Sequence, residues 1–340
     1  MKARKRLILS PLFLIFNNDL SETINVKESF KNQNILDLFR FDKIKSITEY
    51  KFNGYNINFL YLPKNIEKIE YCAFYKNQIQ ILDLSNCIKL KNIGIYAFEE
   101  NQIKQLKLPK NIEKIEWPAF ANNQIQILNL SNCIKLNIIN DGAFKSNQIK
   151  QLKLPKNIEI IENNAFCTNQ IEFLDLSECI HLRIIDEYAF FENQIKVLKL
   201  PKNIEMIKSE AFKYNQIELL DLSQCVKLNL IYNSSFKNNN IKQLKLPKNI
   251  KMIKDRAFEV NNIESLDLLQ CTTLNYITYL AFSNNPLQEI KILDNIDAKT
   301  LYSTEFKTDK WNNFTKYYNK NNKKAGDYKL ENNEWKWYPL

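Results

Sequence analysis

Seven cysteines, a single histidine and a column in which Asp and Lys alternate are the residues of this 340-residue chain whose types could do chemistry. Thiols and imidazole could hold zinc or supply a nucleophile and its base, and paired carboxylates could move protons. The spacings assemble none of these. Cys87, Cys133, Cys179, Cys225 and Cys271 recur every 46 residues, no C-x-x-C pair occurs, and one His completes neither a tetrahedral site nor a triad. His181 stands where sister positions carry Lys89, Lys135 and Lys227, so it reads as a solvent-facing loop residue. With four glycines and no G-x-x-x-x-G-K-[ST] run, a phosphate cradle is also missing. No carboxylate pair stands out from its repeat row. The expectation is a protein that is not an enzyme and uses no cofactor or metal.

The elements that position these residues come from a repeat. LPKNI recurs with its Leu at 62, 108, 154, 200 and 246, in step with the five cysteines. A fixed period overrides the two ordinary domains that 340 residues could hold and points to a stacked array. Within the 46 residues lies a shorter unit. Phe30, Phe52, Phe74, Phe98, Phe120, Phe144, Phe166, Phe190, Phe212, Phe236, Phe258 and Phe282 mark it, with spacings of 22 and 24. Shortly after each Phe comes a pattern such as Ile103-x-x-Leu106-x-Leu108, whose alternation predicts a strand with one buried face. The stretch with Ile115 and Ala119-Phe120 is spaced for a helical or 3₁₀ turn that returns the chain to the next strand.

This is the leucine-rich repeat pattern. The Leu-Pro and Ala-Phe punctuation makes residues 28–296 resemble the BspA-like repeats of bacterial and protist surface proteins. The resemblance implies an α/β-type solenoid, a right-handed superhelix. Its parallel β-sheet would line the concave face, with short helical, 3₁₀ or irregular segments on the convex face. No unit can bury its own apolar face, so neighbours stack to share one core. Eleven strands, from Ile57 to near Leu287, make a curved rod on the order of 50 Å along the sheet.

Read as rows, the slots separate scaffold from candidate site. Asn77, Asn101, Asn123, Asn147, Asn169, Asn193, Asn215, Asn239, Asn261 and Asn285 form a stacked structural row suited to turns. Successive members of the cysteine row lie about two strands, roughly 9.6 Å, apart, beyond disulfide reach, and behave as small buried apolar residues. Cys72 and Cys167 occupy variable slots and read as surface thiols. The outward strand residues are the candidate ligand-binding face. One row holds Phe59, Ile81, Gln105, Ile127, Gln151, Phe173, Val197 and Leu219. The other, two residues on, holds Tyr61, Asp83, Lys107, Asn129, Lys153, Asp175, Lys199 and Asp221. In the second row opposite charges face each other across adjacent strands, which reads either as a self-paired surface or as the rim of a charged site. The apolar members of the first row read either as strand propensity or as a patch for a partner.

The ends differ from the array. In residues 1–27, Lys2, Arg4, Lys5 and Arg6 precede an apolar run from Leu7 to Phe16, the order of a signal peptide. Pro11 and the lack of a small-x-small cleavage site leave an N-terminal cap as the alternative, and the run is too short to span a bilayer, which takes about 20 residues. From 297 to 340, the aromatic spacing of Trp311, Phe314, Tyr317 and Tyr318 predicts a helix, and Asn332-Asn333 a hairpin turn. That segment resembles a C-terminal element of bacterial, notably spirochaete-like, surface proteins, and reads as a cap or as a separate binding module. The net charge of +10 is read as Lys/Asn/Ile bias or as a surface for anionic partners, with nucleic acid the less favoured. The resemblance to BspA-like repeats implies a bacterial surface or secreted adhesion module that binds a host or neighbouring-cell protein. An intracellular scaffold, or a binder of anionic polymers through basic ends, is the alternative.

Overall fold

The computed structural model describes residues 34–39, 41–300 and 308–340. Phe30 and the 1–27 segment lie outside the described residues. The chain forms a parallel-strand solenoid with little helix. Its main, concave sheet is built from three-residue strands, Ile35–Asp37, Phe59–Tyr61, Ile81–Asp83 and so on to Glu289–Ile292. The central residue of each points inward and its flanks outward, as for Leu82 between exposed Ile81 and Asp83. Ile35–Asp37 is a strand beyond the eleven that the pattern predicts; it pairs residue for residue with Phe59–Tyr61.

After each main strand the chain turns into a second parallel sheet of two-residue strands, such as Asn92–Ile93 and Lys114–Ile115. Ile115 therefore sits in a strand, where a helical or 3₁₀ turn is the expectation. Ala119 and Phe120 follow in tight turns: the Ala119 N–H donates to Glu116 C=O at 2.8 Å and the Ala121 N–H to Pro118 C=O at 3.0 Å. A helix cannot propagate there, because the residue two before the Phe has positive φ in most turns, as at Tyr96 (57°) and Tyr188 (57°). The turns instead bond one to the next, for example Phe98 N–H to Ala119 C=O and Phe120 N–H to Ala143 C=O, at 2.9 and 3.0 Å.

The phenylalanines form one spine. From Phe52 to Phe282, successive rings stack with centroids 5.1–5.7 Å apart and planes within 15°. All from Phe74 on are fully buried. The asparagine row lines the core beside it. Asn147 Oδ1 accepts the Ile125 N–H of the preceding turn at 3.1 Å, while its Nδ2 donates to Phe120 C=O at 2.9 Å and Phe144 C=O at 3.2 Å. Each Asn thus satisfies buried backbone groups of two turns at once. The left-handed residue sits one position earlier, at Ser146 (φ 53°) and its equivalents.

The 46-residue period shows in how strands zip. Across each 24-residue step all three residues pair, as in Asp83↔Lys107, Asp175↔Lys199 and Asp221↔Lys245. Across the 22-residue steps pairing shrinks to one residue, such as Val197↔Leu219, and the main sheet breaks between 153 and 173 and between 245 and 265. The LPKNI and cysteine turns lock together at the edge. Asn111 Nδ2 donates to Ile88 C=O at 2.9 Å, and the Cys133 thiol reaches Pro109 C=O at 3.8 Å.

At the C-terminus a helix, Lys310–Lys320, is capped by Asp309, whose Oδ1 accepts the Asn312 N–H at 2.7 Å. The same carboxylate accepts Ser283 Oγ and the Asn284 N–H at 3.1 and 2.7 Å, tying the helix to the last turn. Trp311 lies 4.9 Å from Phe282 and extends the spine. A hairpin, Gly326–Glu331 and Glu334–Tyr338, turns at Asn332-Asn333, both with positive φ, and adds to Glu289–Ile292 in antiparallel fashion. Gly326 is required there, since a Cβ would collide with the Trp337 ring.

Candidate binding surface

The chemistry-bearing residues are mostly used by the scaffold. The five in-phase cysteines are buried free thiols, and burial pushes them up to about 11. Cys72 and Cys167 are a correction: both are buried as well, and burial raises them too. The Cys72 slot looks like a surface slot because longer residues there, such as Arg256, reach past the backbone to solvent, whereas in the Cys167 slot Ala121 and Glu259 are buried too. The short Sγ stays in the gap between turns, with Cys167 Sγ 3.4 Å from Thr168 Oγ1. His181 is exposed. Among the described residues no group of three or more His, Cys, Asp or Glu is placed to hold a metal.

The outward face of the main sheet carries the two candidate rows. Phe59, Ile81, Ile127, Phe173, Val197 and Leu219 are all roughly half exposed, as is Tyr61. Strand pairing divides them. Phe173 is opposite Val197 and Val197 opposite Leu219, so these three side chains form one continuous apolar stripe. Ile35, Phe59 and Ile81 form a second, with Tyr61 beside it. Ile35 belongs to the strand outside the predicted set, whose unit lacks the LPKNI mark; its I-L-D triplet, shared with Ile81–Asp83, was the available signal. Ile127 joins neither stripe, because Gln105 and Gln151 flank it.

The charged row does two things. Asp83, Asp175 and Asp221 meet Lys107, Lys199 and Lys245 at 3.3, 3.3 and 3.5 Å. Each Asp also accepts the N–H and hydroxyl of the Ser two residues on, such as Ser177 at 3.0 and 2.6 Å, closing the turn that leaves the strand. Partial burial pulls these carboxyls upward, but the serine bonds and the lysines prevail and hold them below the usual range. Asn129 makes the same turn, to Ser131 at 3.1 and 2.7 Å, and so gives Lys153 opposite it no anion. Lys291, opposite Asp267, turns instead to Glu289 at 3.8 Å. Lys199 also reaches over the Phe173 ring, 5.8 Å from its centroid, bridging the charged row and the central stripe.

The BspA type leucine rich repeat region, in six copies, matches residues 23–137, 132–229, 183–311 and 229–333. The chain belongs to the BspA-type leucine-rich repeat family. Solved structures similar to it include a leucine rich cell surface protein of Faecalibacterium prausnitzii, at 17% identity and TM-score 0.44, covering 74% of this chain and 78% of that chain. A leucine-rich repeat protein of Bacteroides ovatus is 17% identical, covering 76% of this chain and 72% of that one, at TM-score 0.41. InlJ of Listeria monocytogenes, whose functional domain includes a cysteine ladder, is 16% identical at TM-score 0.45; the match covers 81% of this chain and 59% of that chain. A comparison with curated protein sequences finds no match. BspA-type repeats build a fold commonly used for protein–protein interaction.

Proposed function

We propose that this BspA-type chain is a non-enzymatic binding module that docks a protein partner on the outward face of its main sheet. The observation that carries the reading is the continuous stripe Phe173–Val197–Leu219, exposed on a hydrogen-bonded sheet and rimmed by the Asp/Lys row. Isolated exposed apolar residues are ordinary, but a contiguous stripe on a rigid face is the usual core of an interface, with charge at its rim. The backbone there is already paired, so docking costs little ordering.

The partner is a host or neighbouring-cell protein, and the chain acts at the cell surface or after secretion. Support comes from the family and from the basic-then-apolar order of residues 1–27. No helix among the described residues is long and apolar enough to cross a membrane. The test is a photo-crosslinking amino acid placed at Val197, and in a second protein at Tyr71, which lies after the second-sheet strand Lys68–Ile69. A single protein captured from position 197 and not from 71 supports the reading. Equal capture at both, or none at 197, contradicts it.

A further inference from the structure

The solenoid has two edges, and they differ in charge. Where main strands begin, six-residue turns from 75–80 to 283–288 carry eight Lys and seven Glu in all. Where main strands end, the LPKNI and cysteine turns carry Lys64, Lys89, Lys110, Lys135, Lys156, Lys202, Lys227 and Lys248; Glu178 pairs with Lys156, and Glu113 and Glu205, each just after LPKNI, pair with Lys135 and Lys227. All eight ammonium groups are on exposed residues. Lys64, Lys89, Lys110, Lys202 and Lys248 have no carboxylate within ion-pair distance among the described residues, so this edge is not neutralised from within.

The same edge carries an aliphatic row that the fold does not explain. The residues after the first four in-phase cysteines are Ile88, Ile134, Ile180 and Val226, exposed by 56, 70, 55 and 48%. These are turn positions, so strand propensity does not call for them. Thr272 fills the slot in the fifth turn and is exposed, so the fold accepts a polar side chain there. The turns are also held in place: Asn111, Asn203 and Asn249 each donate to the carbonyl of Ile88, Ile180 or Val226 at 2.9 Å. Equivalent positions two strands apart put the four aliphatic side chains in one row of about 29 Å.

Fixed lysines interleaved with fixed, protruding β-branched aliphatics match a surface that is anionic on the outside and apolar just beneath. We propose that the LPKNI edge seats the solenoid on a membrane containing anionic lipid, with the lysines on headgroup phosphates and the four aliphatic residues inserted at the acyl boundary. A polyanion in solution would satisfy the lysines but leave the aliphatic row without a purpose. Seating by this edge leaves the main-sheet face free, so the proposal is independent of the partner site above.

Vesicle co-sedimentation of the full chain tests it, with phosphatidylcholine alone and with about 30% phosphatidylglycerol, at about 0.1 M salt where headgroup charge is still felt. Binding is expected to the mixed vesicles and not to the neutral ones. Lys110→Gln, Lys156→Gln, Lys202→Gln and Lys248→Gln together should weaken it by more than about a hundredfold, at about fivefold per lysine. Ile88→Thr, Ile134→Thr, Ile180→Thr and Val226→Thr together copy the fifth turn. They should lose at least about tenfold in vesicle affinity while heparin retention and circular dichroism stay unchanged. No binding to mixed vesicles, or a threonine variant that binds them as the parent does, overturns the proposal. So does a threonine variant that turns a dimer into a monomer on size exclusion, which would make a second copy the occupant.

Discussion

Asn169 and Phe173 lie a few residues apart on one turn, yet they belong to rows of opposite character. The asparagine slot holds Asn in every turn from Asn77 to Asn285, always buried. The Phe173 slot runs Phe, Ile, Gln, Ile, Gln, Phe, Val, Leu, Gln, Ser from Phe59 to Ser265, always outward. A side chain that satisfies backbone groups of two turns has one solution, and the array repeats it. A side chain that meets only solvent or a partner is free to vary. Between these two rows, identity marks scaffold and variation marks where a partner can be recognised.

The sharpest way to break that contrast is in the buried rows. Phe166→Ala removes a ring stacked 5.7 and 5.4 Å from its neighbours and should cost about 3–5 kcal/mol. Asn147→Ala orphans the Ile125 N–H and takes one of two asparagine donors from the carbonyls of Phe120 and Phe144, which keep Asn123 and Asn169. It should cost about 2 kcal/mol by denaturant unfolding, since one buried N–H loses its partner outright and two carbonyls lose one donor each. A cost under about 1 kcal/mol for either would mean that the row is repetition without a structural task.

The thiols sharpen the same contrast chemically. All seven are buried. They should react with a thiol-specific chromogen far more slowly in the native protein than in denaturant. Fast native labelling of Cys72 or Cys167 would return those two to the surface.

The outward charged row should matter least. Asp221→Asn keeps the bonds to Ser223 in the way Asn129 does, and removes only the anion facing Lys245. It should cost under about 0.5 kcal/mol, whereas Asp221→Ala, which loses the turn as well, should cost about 1 kcal/mol. Because the folded Asp83, Asp175 and Asp221 carboxyls sit below their unfolded values, their contribution is present at neutral pH and above. It fades as pH falls from about 4 through the lower folded values. Unfolding midpoints measured against pH should show that loss, reduced in the Asp221→Asn protein.

The repeat rows make the fold legible in the sequence: the Phe and Asn periods, the five buried in-phase cysteines and the terminal helix and hairpin all follow from spacing. What could not be read had physical causes. Cys72 and Cys167 lie in slots that take both buried and exposed residues, so variability there does not report exposure. The turn-closing role of Asp was visible only in the Ser two residues later, in Asp83-Leu-Ser85 and its sisters, a signal easily taken for strand end. Strand register decides which outward residues touch, so the separation of Ile127 from the Phe173 stripe needed the pairing itself.

The central claim is that recognition is written on the varying outward row and stability in the invariant buried ones. Its most direct test is the double variant Phe173→Asp, Leu219→Lys, measured for thermal unfolding and for binding to the protein captured at position 197. The expected result is a Tm within about 2 °C of the parent, since exposed substitutions cost little, and affinity lower by at least about a hundredfold from the loss of two central anchors. Unchanged affinity with an intact fold would contradict it.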